Sequence, residues 1–179
     1  MSIFYFLKRI FIFVQYILNA SLIKGGIIMK EKSKYLTFVL KNENYGIPID
    51  VVKEIIAMLP ITEVPKTPNF IKGVINLRGK VISIMDLRLK LGLEEKPYDE
   101  RTCIIVVDIN TPEVSKQMGI AVDIVAEVID IHTSQIQKIS KEEIQIDGEF
   151  IKGMAKVKNR VITLLDIEKI LTKKELQEL

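Results

Sequence analysis

Two charged residues sit among apolar neighbours: Glu54 in VVKEII and Arg78 in NLRG. A glutamate on one strand and an arginine at a neighbouring turn can form a charge-assisted, bidentate pair. The alternative is two solvated surface charges, worth little to stability. No other arrangement offers chemistry. The phosphate-loop and GxGxxG spacings are absent, as are GxSxG, HExxH and CxxC. A single cysteine, Cys103, excludes an internal disulfide framework and a cysteine-type metal cluster. In the apolar run TCIIVVD it reads as a small buried residue. The single histidine, His132, has no acid or nucleophile at a recognisable spacing and reads as a surface or turn residue. The carboxylate pairs Glu94–Glu95, Asp99–Glu100 and Glu142–Glu143 are adjacent and read as solvated. Asp86 and Asp166 each precede a short helical stretch and read as N-caps. The chain does not look like an enzyme, and no metal or cofactor is expected.

The elements that position Glu54 and Arg78 belong to a duplication. Phe70 to Leu91, FIKGVINLRGKVISIMDLRLKL, returns 80 residues later as Phe150 to Leu171, FIKGMAKVKNRVITLLDIEKIL, with eight of 22 positions identical. A second pair matches YGIPIDVVKEII (Tyr45 to Ile56) with MGIAVDIVAEVI (Met118 to Ile129). The first copy has Arg78–Gly79 where the second has Lys158–Asn159, and function is expected at that difference.

Strands are expected over Lys34 to Lys41 and Tyr45 to Ile49, a hairpin turning at Asn42–Glu43–Asn44, and over Val51 to Met58. Leu59 to Asn69 carries three prolines and reads as a long connection. Phe70 to Gly73 reads as a turn into a hairpin of Val74 to Arg78 and Lys80 to Met85, and Gly92 as the residue ending a short helix. Glu94 to Arg101 is a polar linker, Thr102 to Asp108 a central strand, and Asn110 to Gln117 a loop. Met118 to Asp123 and Ile124 to Ile131 are strands, followed by a connection over Thr133 to Glu149. Gly46 and Gly119 read as bulges or tight bends. An amphipathic helix over Glu168 to Leu179 closes the chain. The pattern predicts an all-β fold of two small closed barrels of about five strands each, repeat units near 34–92 and 102–172, with short helices.

Of the 26 basic residues, Lys8, Arg9 and Lys24 lie in the first 28, which hold no acid. The remainder is balanced, 23 basic against 23 acidic, so the net charge of +3 comes from that segment alone. A neutral domain has no broad footprint for a phosphate backbone, and its few aromatics argue against a nucleic-acid-binding barrel. The apolar first 28 residues have three readings. They are untranslated sequence upstream of a start at Met29, a signal peptide, or a membrane-contacting tail. Residues 29–179 are then the working domain.

The strings YGIPIDVVKEII, TPNFIKGVINLRGKVISIMDLRLKLG and MGIAVDIVAEVIDI strongly resemble the CheW-like chemotaxis coupling proteins, from about Lys34 to Leu171. The resemblance implies two SH3-like five-stranded barrels packed together, and an adaptor without catalytic activity. It implies as partners the cytoplasmic tip of methyl-accepting chemoreceptors and the regulatory domain of the chemotaxis histidine kinase, in the cytoplasm at membrane receptor arrays. Neither nucleic acid nor insertion of the domain into the membrane is implied. The family's glutamate–arginine pair corresponds to Glu54 and Arg78, and its coupling positions to Val52, Gly73, Gly119 and Val128. Ile47 and Ile49 would line the groove for the receptor's helical hairpin. A regulatory module of a kinase, or of an adaptor fused to a receiver domain, is the alternative within the family. With neither attached before Leu179, a free adaptor is the expectation.

Overall fold

The structure is a computed structural model describing residues 32–112, 115–138, 150–172 and 174–175. Residues 1–28, with the three readings given to them, lie outside the described residues, as does most of the connection expected over Thr133 to Glu149. The chain runs β1 (Lys32–Leu40), β2 (Glu43–Pro48), a 3-10 turn (Ile49–Val51), β3 (Val52–Ala57), β4 (Ile71–Leu77), β5 (Lys80–Asp86) and α1 (Leu87–Lys90). Then follow β6 (Cys103–Asn110), β7 (Ser115–Val122), β8 (Ile124–His132), a 3-10 turn (Thr133–Gln135), β9 (Ile136–Gln137), β10 (Ile151–Val157), β11 (Arg160–Leu165) and a 3-10 turn (Ile167–Lys169).

Three hairpins close through two-residue turns with both central residues at positive φ: Lys41–Asn42 (46°, 68°), Arg78–Gly79 (52°, 86°) and Lys158–Asn159 (46°, 64°). This type I′ geometry matches the right-handed twist of the strands it joins, and Asn and Gly at the second position tolerate it best. Arg78–Gly79 and Lys158–Asn159 are therefore the same turn with different side chains.

The first sheet has the order β3-β6-β7-β5-β4 and the second β8-β1-β2-β11-β10-β9. Under the duplication β1, β2, β3, β4 and β5 correspond to β6, β7, β8, β10 and β11, so both sheets share one order. Each is built across the repeat boundary. The leading hairpin of one repeat is completed by the three later strands of the other, with β2 parallel to β11 and β7 parallel to β5. Even the short edge strand β9 against β10 has a counterpart, a single bridge between Thr62 and Val74.

Alternation of side chains along the strands divides the apolar residues among three cores. On β6, Cys103, Ile105, Val107 and Ile109 point between the sheets into the largest core, with Phe38, Met85, Phe150 and Leu165. Ile104 and Val106 point the other way, onto Ile75, Ile82 and Ile84. Tyr35, Ile131 and Leu164 do the same for the second sheet.

Several boundaries differ from the sequence expectation. Ile71 to Gly73 is strand, not turn; a register shift between Ile71 and Gly73 places Gly73 (φ 133°) beneath Thr62, whose carbonyl a Cβ would strike. The loop expected over Asn110 to Gln117 shrinks, because β6 and β7 stay paired out to Asn110 and Ser115. Asp86 does cap α1, accepting from the Arg88 N–H at 2.9 Å, and Gly92 follows the helix at φ 72°. Asp166 occupies the corresponding position without a side-chain cap. The closing helix does not start at Glu168: Ile167–Lys169 is a 3-10 turn. Helix resumes at 174–175 behind a reciprocal cap, the Glu175 N–H donating to Thr172 Oγ1 (3.2 Å) and the Thr172 N–H to Glu175 Oε2 (2.7 Å). The rest of that expected helix lies outside the described residues.

Candidate functional site

Glu54 lies on β3, where pairing with β6 slips between Val52 and Glu54. Such a bulge re-aims the side chain that follows it. Arg78 is in the β4–β5 turn, at the opposite end of the same sheet. Were the sheet flat, four strand gaps of about 4.8 Å would hold β3 and β4 about 19 Å apart. Instead Arg78 Nη2 lies 2.8 Å from Glu54 Oε2 and Nη1 lies 3.1 Å from Oε1, a bidentate pair. The sheet is therefore curled enough for side chains from its two outer ends to touch, and the pair bridges that seam. Glu54 keeps only 13% of its side chain exposed, Arg78 70%. Water on the arginine side limits the pair to roughly 1 kcal/mol. One residue past Lys80, Val81 is 75% exposed, unusual for an apolar side chain.

The second sheet carries a related pair with a different arginine, made through a single contact between two side chains that are both exposed. Glu127, the counterpart of Glu54, lies on β8 opposite an irregularity in the β1–β8 pairing between Leu36 and Phe38. Arg160, the first residue of β11, places Nη2 2.5 Å from Glu127 Oε1. The function-bearing difference expected from Arg78–Gly79 alone is thus smaller in space than in sequence. The match of Glu54 with Glu127 in the second repeated pair was the available signal.

Of the remaining residues singled out from the sequence, none joins Glu54 and Arg78 in one cluster. Ile47, Ile49 and Val52 are buried in the core between the sheets, so Ile47 and Ile49 do not line an open groove. Alternation turns them inward. Gly73 supports the Thr62 bridge. Gly119, like Gly46, is neither bulge nor bend, since pairing is continuous through both. A Cβ on Gly119 would stand 2.5 Å from Ile84 and 2.7 Å from Ile104, so the position is glycine for lack of room. Val128 is half-buried on β8, at the margin of the central core.

Residues 34–175 match the family model of the CheW-like domain. The chain belongs to the CheW-like family. Chemotaxis protein CheW of Klebsiella aerogenes is 37% identical over 143 residues, covering 80% of this chain and 84% of that protein. The CheW of Helicobacter pylori is 33% identical over 144 residues, with the same shares. The crystal structure of the scaffolding protein TtCheW from Thermoanaerobacter tengcongensis aligns with a TM-score of 0.71 at 33% identity, over 80% of this chain and 94% of that one. The CheW-like match takes in both sheets and both Glu–Arg seams.

One further polar cluster of this CheW-like chain was not foreseen. Arg88, in the DLR of the repeated stretch, is 3% exposed and donates through Nε to Asp123, between β7 and β8. Its Nη1 donates to the Lys96 carbonyl (2.9 Å) and lies 3.6 Å from Asp86 Oδ2. The Tyr98 hydroxyl donates to that same oxygen at 3.0 Å. Burial and the Asp86 carboxylate push the Tyr98 phenol well above its ordinary pKa, so it stays a donor. Asp123 also accepts from the Lys41 N–H at 3.1 Å, which joins the β1–β2 turn of one sheet to the α1 helix beside the other. The second repeat has Glu168 where the first has Arg88 and builds no such cluster among the described residues. Among the described residues no group of three or more His, Cys, Asp or Glu is placed to hold a metal ion, and no helix is long and apolar enough to cross a membrane.

Proposed function

We infer that this chain is a chemotaxis coupling adaptor, a non-enzymatic scaffold between chemoreceptors and the chemotaxis histidine kinase. The observation that carries the reading is the CheW-like match over residues 34–175, which includes the bidentate Glu54–Arg78 seam at an accessible edge. Each curled sheet, the short β9 apart, is read as an SH3-like five-stranded barrel, because a Glu–Arg pair ties its outermost strand to the tip of the closing hairpin and leaves little open edge. The receptor's partner surface is its cytoplasmic helical hairpin tip, an apolar-faced helix laid into a groove. The kinase partner is its regulatory domain, barrel against barrel. The site of action is the cytoplasm, at membrane receptor arrays.

Within this reading Glu54 and Arg78 act at the surface. Val52, Gly73 and Gly119 set the shape of the strands of their sheet, and Val128 lies on β8 of the other. Arg78→Glu should lower receptor-stimulated kinase activity at limiting adaptor while the fold is kept. The deciding experiment is capture of purified kinase regulatory domain and of a receptor tip fragment by the wild-type chain. Capture of neither would overturn the adaptor reading.

A further inference from the structure

We propose that Glu127 and Arg160 are a second pair of positioning residues for coupling, clasping the β10–β11 hairpin tip to β8. The proposal rests on the adaptor reading and extends it to side chains in the second sheet. Three observations converge on it. First, both glutamates sit on the outermost strand of their sheet where the ladder with the next strand is irregular, β3 against β6 and β8 against β1. In β8 the irregularity is fixed from behind: Thr37 Oγ1 donates to the Glu127 carbonyl (2.7 Å) and accepts from the Glu127 N–H (3.2 Å). The backbone that aims Glu127 is therefore held before its side chain meets any partner.

Second, the arginines reach their glutamates from different positions. Arg78 is the first residue of its turn, whereas the equivalent residue in the other turn is Lys158 and the clasp comes from Arg160, two residues on. The same seam contact thus survives a change in which residue supplies the cation. A chance surface pair, common among exposed charges, has no reason to recur at the matching seam. Third, each clasped tip carries an exposed valine at the same place, Val81 and Val161, the latter 52% exposed. Arg160 ties the tip that carries Val161 to β8 through one contact, Nη2 to Glu127 Oε1; without it the tip beyond the β2–β11 pairing at Ile162 is held only by its own two-stranded ladder.

The test uses the full chain with purified kinase and receptor fragment at limiting adaptor, and compares Arg160→Glu, Glu127→Arg, the double charge swap and Arg160→Gln. Reversal of one charge replaces an attraction with a repulsion, so each reversed single variant should lower kinase activation about threefold or more. The double swap should recover to within about twofold, since the pair is restored with its ends exchanged. Melting temperatures should stay within about 3 °C of wild type, which a purely structural role would not allow alongside lost activation. Amide exchange at 157–160, read without any partner, should be about threefold faster in Arg160→Gln, which removes the charge without reversing it. Full activation by both reversed singles, or a double swap as impaired as the worse single, would overturn the proposal. So would unchanged exchange at the tip. A wild-type chain that activates no kinase would instead sink the adaptor reading, and the exchange measurement then decides the clasp by itself.

Discussion

Replacing Arg88 with methionine removes the cation of the buried cluster and keeps most of the stem's volume. Two carboxylates, Asp86 and Asp123, would then be left with no positive partner, and the Lys96 carbonyl with no donor from the side chain. Breaking a buried ion pair by deleting one member costs about 3–5 kcal/mol, mostly from the charge left behind. Asp123 is 12% exposed, so water reaches one of the two carboxylates and the lower part of that range, about 3–4 kcal/mol, applies. In a domain of this size each kcal/mol lowers Tm by about 2–4 °C, so the expected drop is about 6–16 °C. Asp123→Asn should behave differently. The cluster holds two carboxylates for one guanidinium, so removing one negative charge leaves a matched pair. The amide oxygen still accepts from Lys41 N–H or from Arg88, and the loss should be about 1 kcal/mol. Equilibrium urea unfolding measures both losses, and their ratio is the discriminating quantity. Equal losses for the two variants, or a loss under about 1 kcal/mol for Arg88→Met, would refute an electrostatic account and leave only packing.

Gly73→Ala should destabilise the chain by about 1–3 kcal/mol and free the Val74 N–H to exchange, because φ 133° and the Thr62 carbonyl both oppose a Cβ. Gly79→Ala, at φ 86° with open space around it, should cost about 1 kcal/mol from backbone strain alone; paired melts of the two variants separate crowding from conformation. Burial pushes the Cys103 thiol up, so little thiolate forms at pH 8 and alkylation of the folded chain should be far slower than in denaturant. Fast native labelling, followed by intact mass, would contradict the placement of Cys103 in the central core. A charge-swapped Glu54→Arg, Arg78→Glu chain should regain part of the coupling lost in either single variant if the seam contact matters for its geometry; complete loss would mark Arg78 as a direct partner contact instead.

Much of the fold was legible because the duplication doubled every weak signal. FIKG, the alternating strands after it and the Asp that follows appear twice, and twist favours a type I′ turn where two such strands join through two residues. The exchange of strands between repeats was not legible. Strand pairing depends on contacts far apart in sequence, and β1–β2 carries the same alternation whichever repeat completes its sheet. Gly73 was misread as turn because a glycine in a strand and a glycine in a turn look alike until the chain that crosses over it is known. The Glu54–Arg78 pair left two readings open in the sequence, and curvature decided between them. Arg88 was missed because a DLR after a strand looks like the exposed face of a short helix, and its two acidic partners lie at different separations along the chain.

The two kinds of ion pair divide the work of a scaffold. The Arg88 cluster is largely buried and joins elements of both sheets, so it opposes their relative movement strongly and offers a partner little to touch. The seam pairs are open to water, Arg78–Glu54 on the arginine side and Arg160–Glu127 on both; they contribute little to stability, and their arginines sit at hairpin tips. A partner that arrives at a seam can therefore displace or tighten the pair at small energetic cost while the body beneath it stays fixed. An adaptor needs both properties: surfaces that respond and a frame that keeps two of them in register. If the division holds, variants of Arg88 should change melting far more than coupling per folded molecule, and variants of Arg78 the reverse. Measuring both quantities on the same four proteins, wild type, Arg88→Met, Asp123→Asn and Arg78→Glu, is the sharpest check, because a single scale of damage across all four would mean that stability alone sets activity.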